Sequence, residues 1–163
     1  MNRRLVGCGF GLVATLFVPV PAAAQDARRD VSAGYSLIRC VDCGTSWTGV
    51  NVSIADGGDR RVSGVGDFSG YINDTVLWAQ VGARFRPRRS ATVVPFGQIV
   101  GGIAVYSGLY LAWTIQPGAG VDLRAKPGGP GVRIQADFPI LIDANYGDRY
   151  AGFRLAVGIV VGR

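Results

Sequence analysis

The sequence contains no histidine and no glutamate. The first absence removes the usual general base beside a serine nucleophile. The second leaves aspartate as the only side-chain carboxylate. An Asp–Ser arrangement such as Asp67 near Ser69 is a poor substitute, and strand periodicity already accounts for both residues. Acyl transfer or lipid hydrolysis is therefore not expected, and the chain reads as a non-enzyme. Metal chemistry is short of ligands too: structural zinc takes about four nitrogen or sulfur ligands. Without a histidine, and with two cysteines beyond the first 24 residues, no metal or other cofactor is expected. Beyond residue 24 no run is long and apolar enough for a transmembrane helix, and no segment shows a helical period. Yet 48% of the chain is hydrophobic, and that apolar content needs a destination.

The first residues read as an export signal. Arg3 and Arg4 form a basic start, Leu5 to Val18 is apolar, and Ala22-Ala23-Ala24 offers a small-residue cleavage site. The apolar stretch is short for a helical anchor, which needs about 20 residues. A lipoprotein signal at Cys8 would strand most of the apolar region on the mature chain. The expected organisation is a cleavable leader over 1–24 and one domain over 25–163. Losing Arg3 and Arg4 lowers the net charge from +6 to about +4. The basic residues are spread over turns and alternate strand positions, so nucleic-acid binding is not expected. Cys40 and Cys43 follow a strand with no helix after them, which argues against a redox motif. In an exported chain they are candidates for a disulfide pinning a tight loop, with reduced spectator thiols as the other reading.

The remainder divides into about eight segments of period-two polarity. They span 30–39, 46–55, 61–72, 75–86, 92–106, 109–125, 132–142 and 150–161. Leu111, Trp113, Ile115, Ala119, Val121 and Leu123 alternate with Ala112, Thr114, Gln116, Gly118, Gly120 and Asp122. Phe153, Leu155, Val157, Ile159 and Val161 alternate with Arg154, Ala156 and Gly158. The fifth segment is ambiguous, and Pro95 with Gly101-Gly102 suggests a bend there. Asp56-Gly57-Gly58-Asp59 and Lys126 to Gly131 are strong turns.

The polar faces carry both signs of charge: Asp67, Arg84, Asp122, Arg124, Arg133, Asp137 and Arg154. Alternation alone does not say whether this face meets water or an enclosed lumen. The 25 glycines favour a lumen, because small residues in a narrow barrel leave room for Arg–Asp pairs. The fold class expected is all-β, an eight-stranded antiparallel up-and-down transmembrane β-barrel. Eight strands leave an interior that side chains can fill, so the seven charged residues are expected to form a lumen network rather than an open pore. Tyr35, Trp47, Tyr71, Tyr106, Tyr110, Trp113, Tyr146 and Tyr150 fall mostly near segment ends, as interfacial aromatics would. Trp78 is expected inside.

Gly34-Tyr35-Ser36-Leu37, Val65 to Gly70, Pro95-Phe96-Gly97-Gln98, Pro117 to Arg124, Arg133 to Asp137 and Phe153 to Gly158 together carry a family likeness. In this order they resemble the bacterial outer-membrane β-barrel domain family, the small OmpA/OmpX-like porin-fold proteins. The resemblance implies an eight-stranded barrel in the Gram-negative outer membrane, with both termini in the periplasm and no single activity. Two departures stand out: the predicted surface loops are short, and the chain ends Val160-Val161-Gly162-Arg163 without a terminal aromatic. The expected role is structural or interactive. A narrow gated channel and a soluble lipocalin-like periplasmic carrier are the alternatives. The expected partners are lipopolysaccharide, phospholipid and the barrel-assembly machinery, with a monomeric state. With the termini inside, Arg28, Arg29, Arg60, Arg61, Arg86, Arg88, Arg89, Lys126 and Arg163 form a basic periplasmic rim that could meet anionic headgroups. Asp42, Asp74, Asp143 and Asp148 lie at the outer end.

Overall fold

A computed structural model describes residues 29–56, 61–72, 75–87, 92–106 and 110–162. The leader reading, and Arg28, Arg60, Arg88, Arg89, Arg163 and Asp74, lie outside the described residues. Nine strand segments form one antiparallel sheet: β1 Arg29–Cys40, β2 Ser46–Asp56, β3 Val62–Tyr71, β4 Val76–Phe85, β5 Val93–Tyr106, β6 Tyr110–Arg124, β7 Gly131–Asp137, β8 Ile140–Asp143 and β9 Arg149–Gly162. β1 to β7 pair in sequence order, β7 and β8 each pair with β6 and β9, and β1 pairs with β9 from Asp30↔Gly162 to Cys40↔Gly152. That last pairing closes the sheet into a barrel and leaves no free edge.

The seventh expected strand is one stave in two pieces, so nine segments make eight staves. β7 and β8 both pair with β6 and β9. Pro139 has no N–H to give the ladder and interrupts it. The register survives the gap: Asp137↔Gly118 and Ile140↔Ile115 are three residues apart on both strands. Phe138 N donates to Pro117 O and Gly152 N to Pro139 O, bridging the break.

Strand parity sorts the side chains. Even-numbered residues of β1 point inward, so Ser32, Ser36 and Ile38 are buried while Val31, Tyr35 and Leu37 are exposed. β9 likewise buries Arg154, Ala156 and Val160 and exposes Phe153, Leu155, Val157, Ile159 and Val161. β5 resolves in the same way, with Val94, Phe96, Gln98, Val100 and Ala104 inward. Its sequence looked ambiguous because its inner face is also largely apolar. The outside is a belt of exposed Val, Leu, Ile and Phe, with Val81 at 70% exposure. A soluble carrier barrel would have its polar face outward, the reverse of this arrangement.

Both described ends of the chain lie at one mouth of the barrel, since Asp30 faces Gly162. The strand ends at Asp56, Val62, Phe85, Val93, Arg124 and Gly131 share that mouth. The strand ends at Cys40, Ser46, Tyr71, Val76, Tyr106, Tyr110, Asp143 and Arg149 lie at the far mouth. Gly128 and Gly147 turn with φ of 73° each, a left-handed conformation that a Cβ disfavours.

Candidate functional site: the charged lumen and its apolar cap

The inward positions build three layers. At the mouth holding the chain ends, Asp30 on β1 pairs with Arg86, which follows β4, and with Arg124 on β6 at 3.3 Å. Arg124 also reaches Asp122 at 3.3 Å. Asp122 and Arg133 are cross-strand partners on β6 and β7. Their contact is bidentate: Nε donates to Oδ1 at 2.7 Å and Nη2 to Oδ2 at 2.9 Å. Arg133 Nη1 donates to Ser32 Oγ, tying this chain of charges back to β1.

In the middle layer Arg154 on β9 spans to Asp67 on β3, donating from Nη1 at 3.2 Å and Nη2 at 3.4 Å. Its Nε lies 3.6 Å from Asp137. Asp67 accepts from Ser69 Oγ, and Asp137 from Gln135 Nε2 at 2.8 Å. Arg84 differs: among the described residues it forms no ion pair. It donates to Gln98 Oε1 at 2.9 and 2.7 Å and to Ser53 Oγ at 2.9 Å. Phe96 meets two guanidinium groups, with Arg84 4.7 Å and Arg133 4.9 Å from its ring centre. Cation–π contact of this kind offsets part of the cost of two like charges near each other. Five arginines (84, 86, 124, 133 and 154) and four aspartates (30, 67, 122 and 137) are buried in these two layers.

Glycine makes the room. A Cβ on Gly118 would overlap the Asp137 carboxylate, and one on Gly120 would come within 2.5 Å of the Phe96 ring. Bare backbone on β6 thus receives side chains arriving from β7 and β5.

Among the described residues, the third layer, toward the far mouth, has no charge. Ile38, Tyr71, Val76, Trp78, Ala104 and Leu141 pack there with Trp47 and Ala112. Tyr71 and Trp78 meet edge to face with ring centres 5.5 Å apart. The Cys40–Cys43 disulfide sits at the rim of this layer. Above it opens a cup of about 360 Å³, lined by Trp47, Tyr106, Tyr110, Tyr150, Leu141 and Asp143 among others.

All seven charges singled out in the sequence point inward and are buried. Two further members, Asp30 and Arg86, were not in that set. Arg86 was placed on the basic rim, but it is 2% exposed and paired with Asp30, so the rim reading does not hold for it. Arg29, Arg61 and Lys126 remain exposed at that mouth. The aromatic reading also needs correction. Trp47 and Tyr71 are buried in the lumen, and Tyr106 packs against the same cluster. The reason is parity: Trp47 shares a face with Asn51 and Ser53, and Tyr71 with Asp67 and Ser69. Trp113 and Tyr35 do face outward, and Trp78 is inside as expected.

Solved structures share this fold. Neisserial surface protein A matches with a TM-score of 0.60 at 11% identity, over 82% of this chain and 95% of that one. Ail, the attachment invasion locus protein of Yersinia pestis, matches with a TM-score of 0.51 at 16% identity, over 82% and 98%. A structure of Ail in complex with the heparin analogue sucrose octasulfate matches with a TM-score of 0.51 at 14% identity. No protein-family model and no curated protein matches the sequence. At these identities the likeness is one of fold, a closed eight-stranded antiparallel barrel.

Proposed function

We propose that this protein is an integral outer-membrane barrel of the Gram-negative envelope that serves as a closed structural or interaction module, neither conducting nor catalytic. The observation that carries the reading is the filled lumen. Arg84, Arg86, Arg154, Gln80, Gln116 and Gln135 are fully buried across it, and an apolar layer lies over them. A conductive path would require ion pairs to part where little water remains to solvate them, which costs several kcal/mol per charge. The exposed apolar belt supports lipid as the surrounding medium, and staves of 10 to 15 residues meet or exceed the 9–11 that a tilted strand needs to cross.

The absence of catalysis rests on chemistry. Asp67, the carboxylate beside Ser69, is fully buried and engaged by Arg154, out of reach of an acyl chain. On this reading the partners are outer-membrane phospholipid, lipopolysaccharide and, during insertion, the assembly machinery. The barrel is a monomer with its termini in the periplasm. Single-channel recording in a planar bilayer tests the proposal. A folded, inserted barrel giving no unitary steps supports it; reproducible unitary conductance overturns it in favour of a narrow channel. Release of fatty acid from phospholipid or lipopolysaccharide by purified protein would overturn the non-catalytic part.

A further inference from the structure

The far mouth holds a feature that a closed scaffold does not require. Four aromatic residues from four different strands line the space above the apolar layer: buried Trp47 on β2 and half-buried Tyr106 on β5, with Tyr110 on β6 and Tyr150 on β9 at the exposed rim. They surround an open cup of about 360 Å³, a volume at the small end of ligand sites. Trp47 and Tyr106 meet edge-on at 66° with ring centres 6.4 Å apart, rather than as a stack. Leu141 and Ala112 contribute to the apolar lining.

Among the described residues one carboxylate lines this cup, and no arginine or lysine does. Asp143 ends β8, and its Oδ1 accepts the backbone N–H groups of Asn145 at 2.7 Å and Tyr146 at 2.9 Å. Those bonds fix the carboxylate in the 144–148 turn. Among the described residues no basic side chain pairs with Asp143. The lumenal arginines do not compensate it either, because the uncharged layer of Tyr71, Trp78, Ile38 and Leu141 lies between them and the cup.

Aromatic rings around a cavity, with one carboxylate in the wall that no basic side chain of the described residues pairs, define the ligand chemistry. Ring faces attract a cation through the quadrupole, most strongly when it is partly desolvated. Their apolar bodies take up alkyl or aryl groups. An anion would meet the carboxylate with no arginine or lysine among the described lining residues to offset it. We propose that this cup is a binding site for a small organic cation, an alkyl- or arylammonium whose charged head meets Asp143 and the tyrosine faces while its apolar body rests on the Leu141 layer. The site is separate from the charged lumen, and it needs no pore to operate.

The test uses the folded barrel in lipid nanodiscs, with empty discs as the blank. The probe is benzyltrimethylammonium, and its uncharged carbon isostere, neopentylbenzene, is the control. Trp47 reports occupancy by fluorescence quenching in a Trp113→Phe background, which removes the lipid-facing emitter. Saturable quenching by the cation, at least tenfold tighter than by the isostere, is expected. Asp143→Asn keeps the Oδ1 acceptor for the turn and should weaken binding about tenfold; Tyr106→Leu and Tyr150→Leu should each weaken it severalfold. Heat-dependent gel mobility verifies that each variant is folded, and Asp143→Asn remains decisive if an aromatic variant fails to fold. Equal binding of the isostere, an unchanged affinity in Asp143→Asn, or no saturable quenching would overturn the proposal. None of these outcomes bears on conduction, so the proposed closed barrel stands or falls separately.

Discussion

Replacing Asp67 with asparagine removes one charge from the centre of the barrel without changing its shape. Asp67 and Arg154 both have fully buried side chains, and two contacts at 3.2 and 3.4 Å join them. In the variant an amide faces the guanidinium in place of a carboxylate oxygen. Arg154 then keeps only Asp137 at 3.6 Å as a counter-charge. Breaking a buried pair by removing one partner costs about 3–5 kcal/mol, since the other charge stays desolvated. With Asp137 retaining part of the compensation, the lower end, about 3 kcal/mol, is expected. Arg154→Met leaves Asp67 with the Ser69 hydroxyl and exposes Asp67 and Asp137 to each other, so about 3–5 kcal/mol is expected there. The double variant has no stranded charge at Asp67 or Arg154. Its loss should fall short of the summed single losses by roughly 2–3 kcal/mol, the upper part of the range for residues in direct contact. Reversible urea unfolding in lipid vesicles, followed by tryptophan emission and gel mobility together, measures all three. Additive losses, or Asp67→Asn within about 0.5 kcal/mol of the parent, would refute the reasoning, because a solvated pair behaves in that way.

Three further outcomes follow from the same geometry. Arg133→Met should cost about 3–5 kcal/mol by depriving Asp122 of its bidentate partner, whereas Arg84→Met, which loses hydrogen bonds but no carboxylate, should cost only about 1–3; the reverse order in urea would contradict the assigned pairing. Gly120→Leu forces a side chain into the Phe96 ring and should destabilise by about 1–3 kcal/mol or prevent the heat-dependent gel shift, while an unperturbed barrel would mean that β6 does not pack as described. Val157→Arg places a charge on the exposed belt, and an insertion penalty of about 2–4 kcal/mol is expected near the bilayer centre; no penalty would place that face outside the hydrocarbon.

Much of this architecture is legible in the sequence because parity is a local property. Asp67, Arg84, Asp122, Arg124, Arg133, Asp137 and Arg154 each share a face with glycine, serine or glutamine neighbours, and all seven are buried. Their pairing is not local. Arg154 meets Asp67 across 87 residues, and Arg86 meets Asp30 across 56, through the registers of a closed sheet. Asp30 and Arg86 lie at the margins of their strands, where a rim position and a lumen position look alike, although Asp30 carries the parity of Ser32 and Ser36. Phe96 was hidden because the inner face of β5 is apolar, which erases the alternation that identifies a face. The aromatic cap shows two signals in conflict. Residue type suggested a lipid interface for Trp47 and Tyr71, while parity pointed inward; parity prevailed because that end of the lumen carries no charge and takes apolar side chains without cost. The break at Pro139 follows from the missing N–H, and it changes neither register nor face.

The account depends on the oily side of the ribbon meeting hydrocarbon, and two native residues report on it directly. Trp113 is 56% exposed on the outer face of β6, and Trp78 is 2% exposed inside the barrel. Single-tryptophan variants carrying only one of them can be folded into vesicles of phosphatidylcholine brominated on its acyl chains, where quenching requires contact with lipid. Strong quenching of Trp113 with little quenching of Trp78 is the expected result. Strong quenching of Trp78 with Trp113 unaffected would mean that the charged face is turned toward lipid and the barrel is inside out relative to this description.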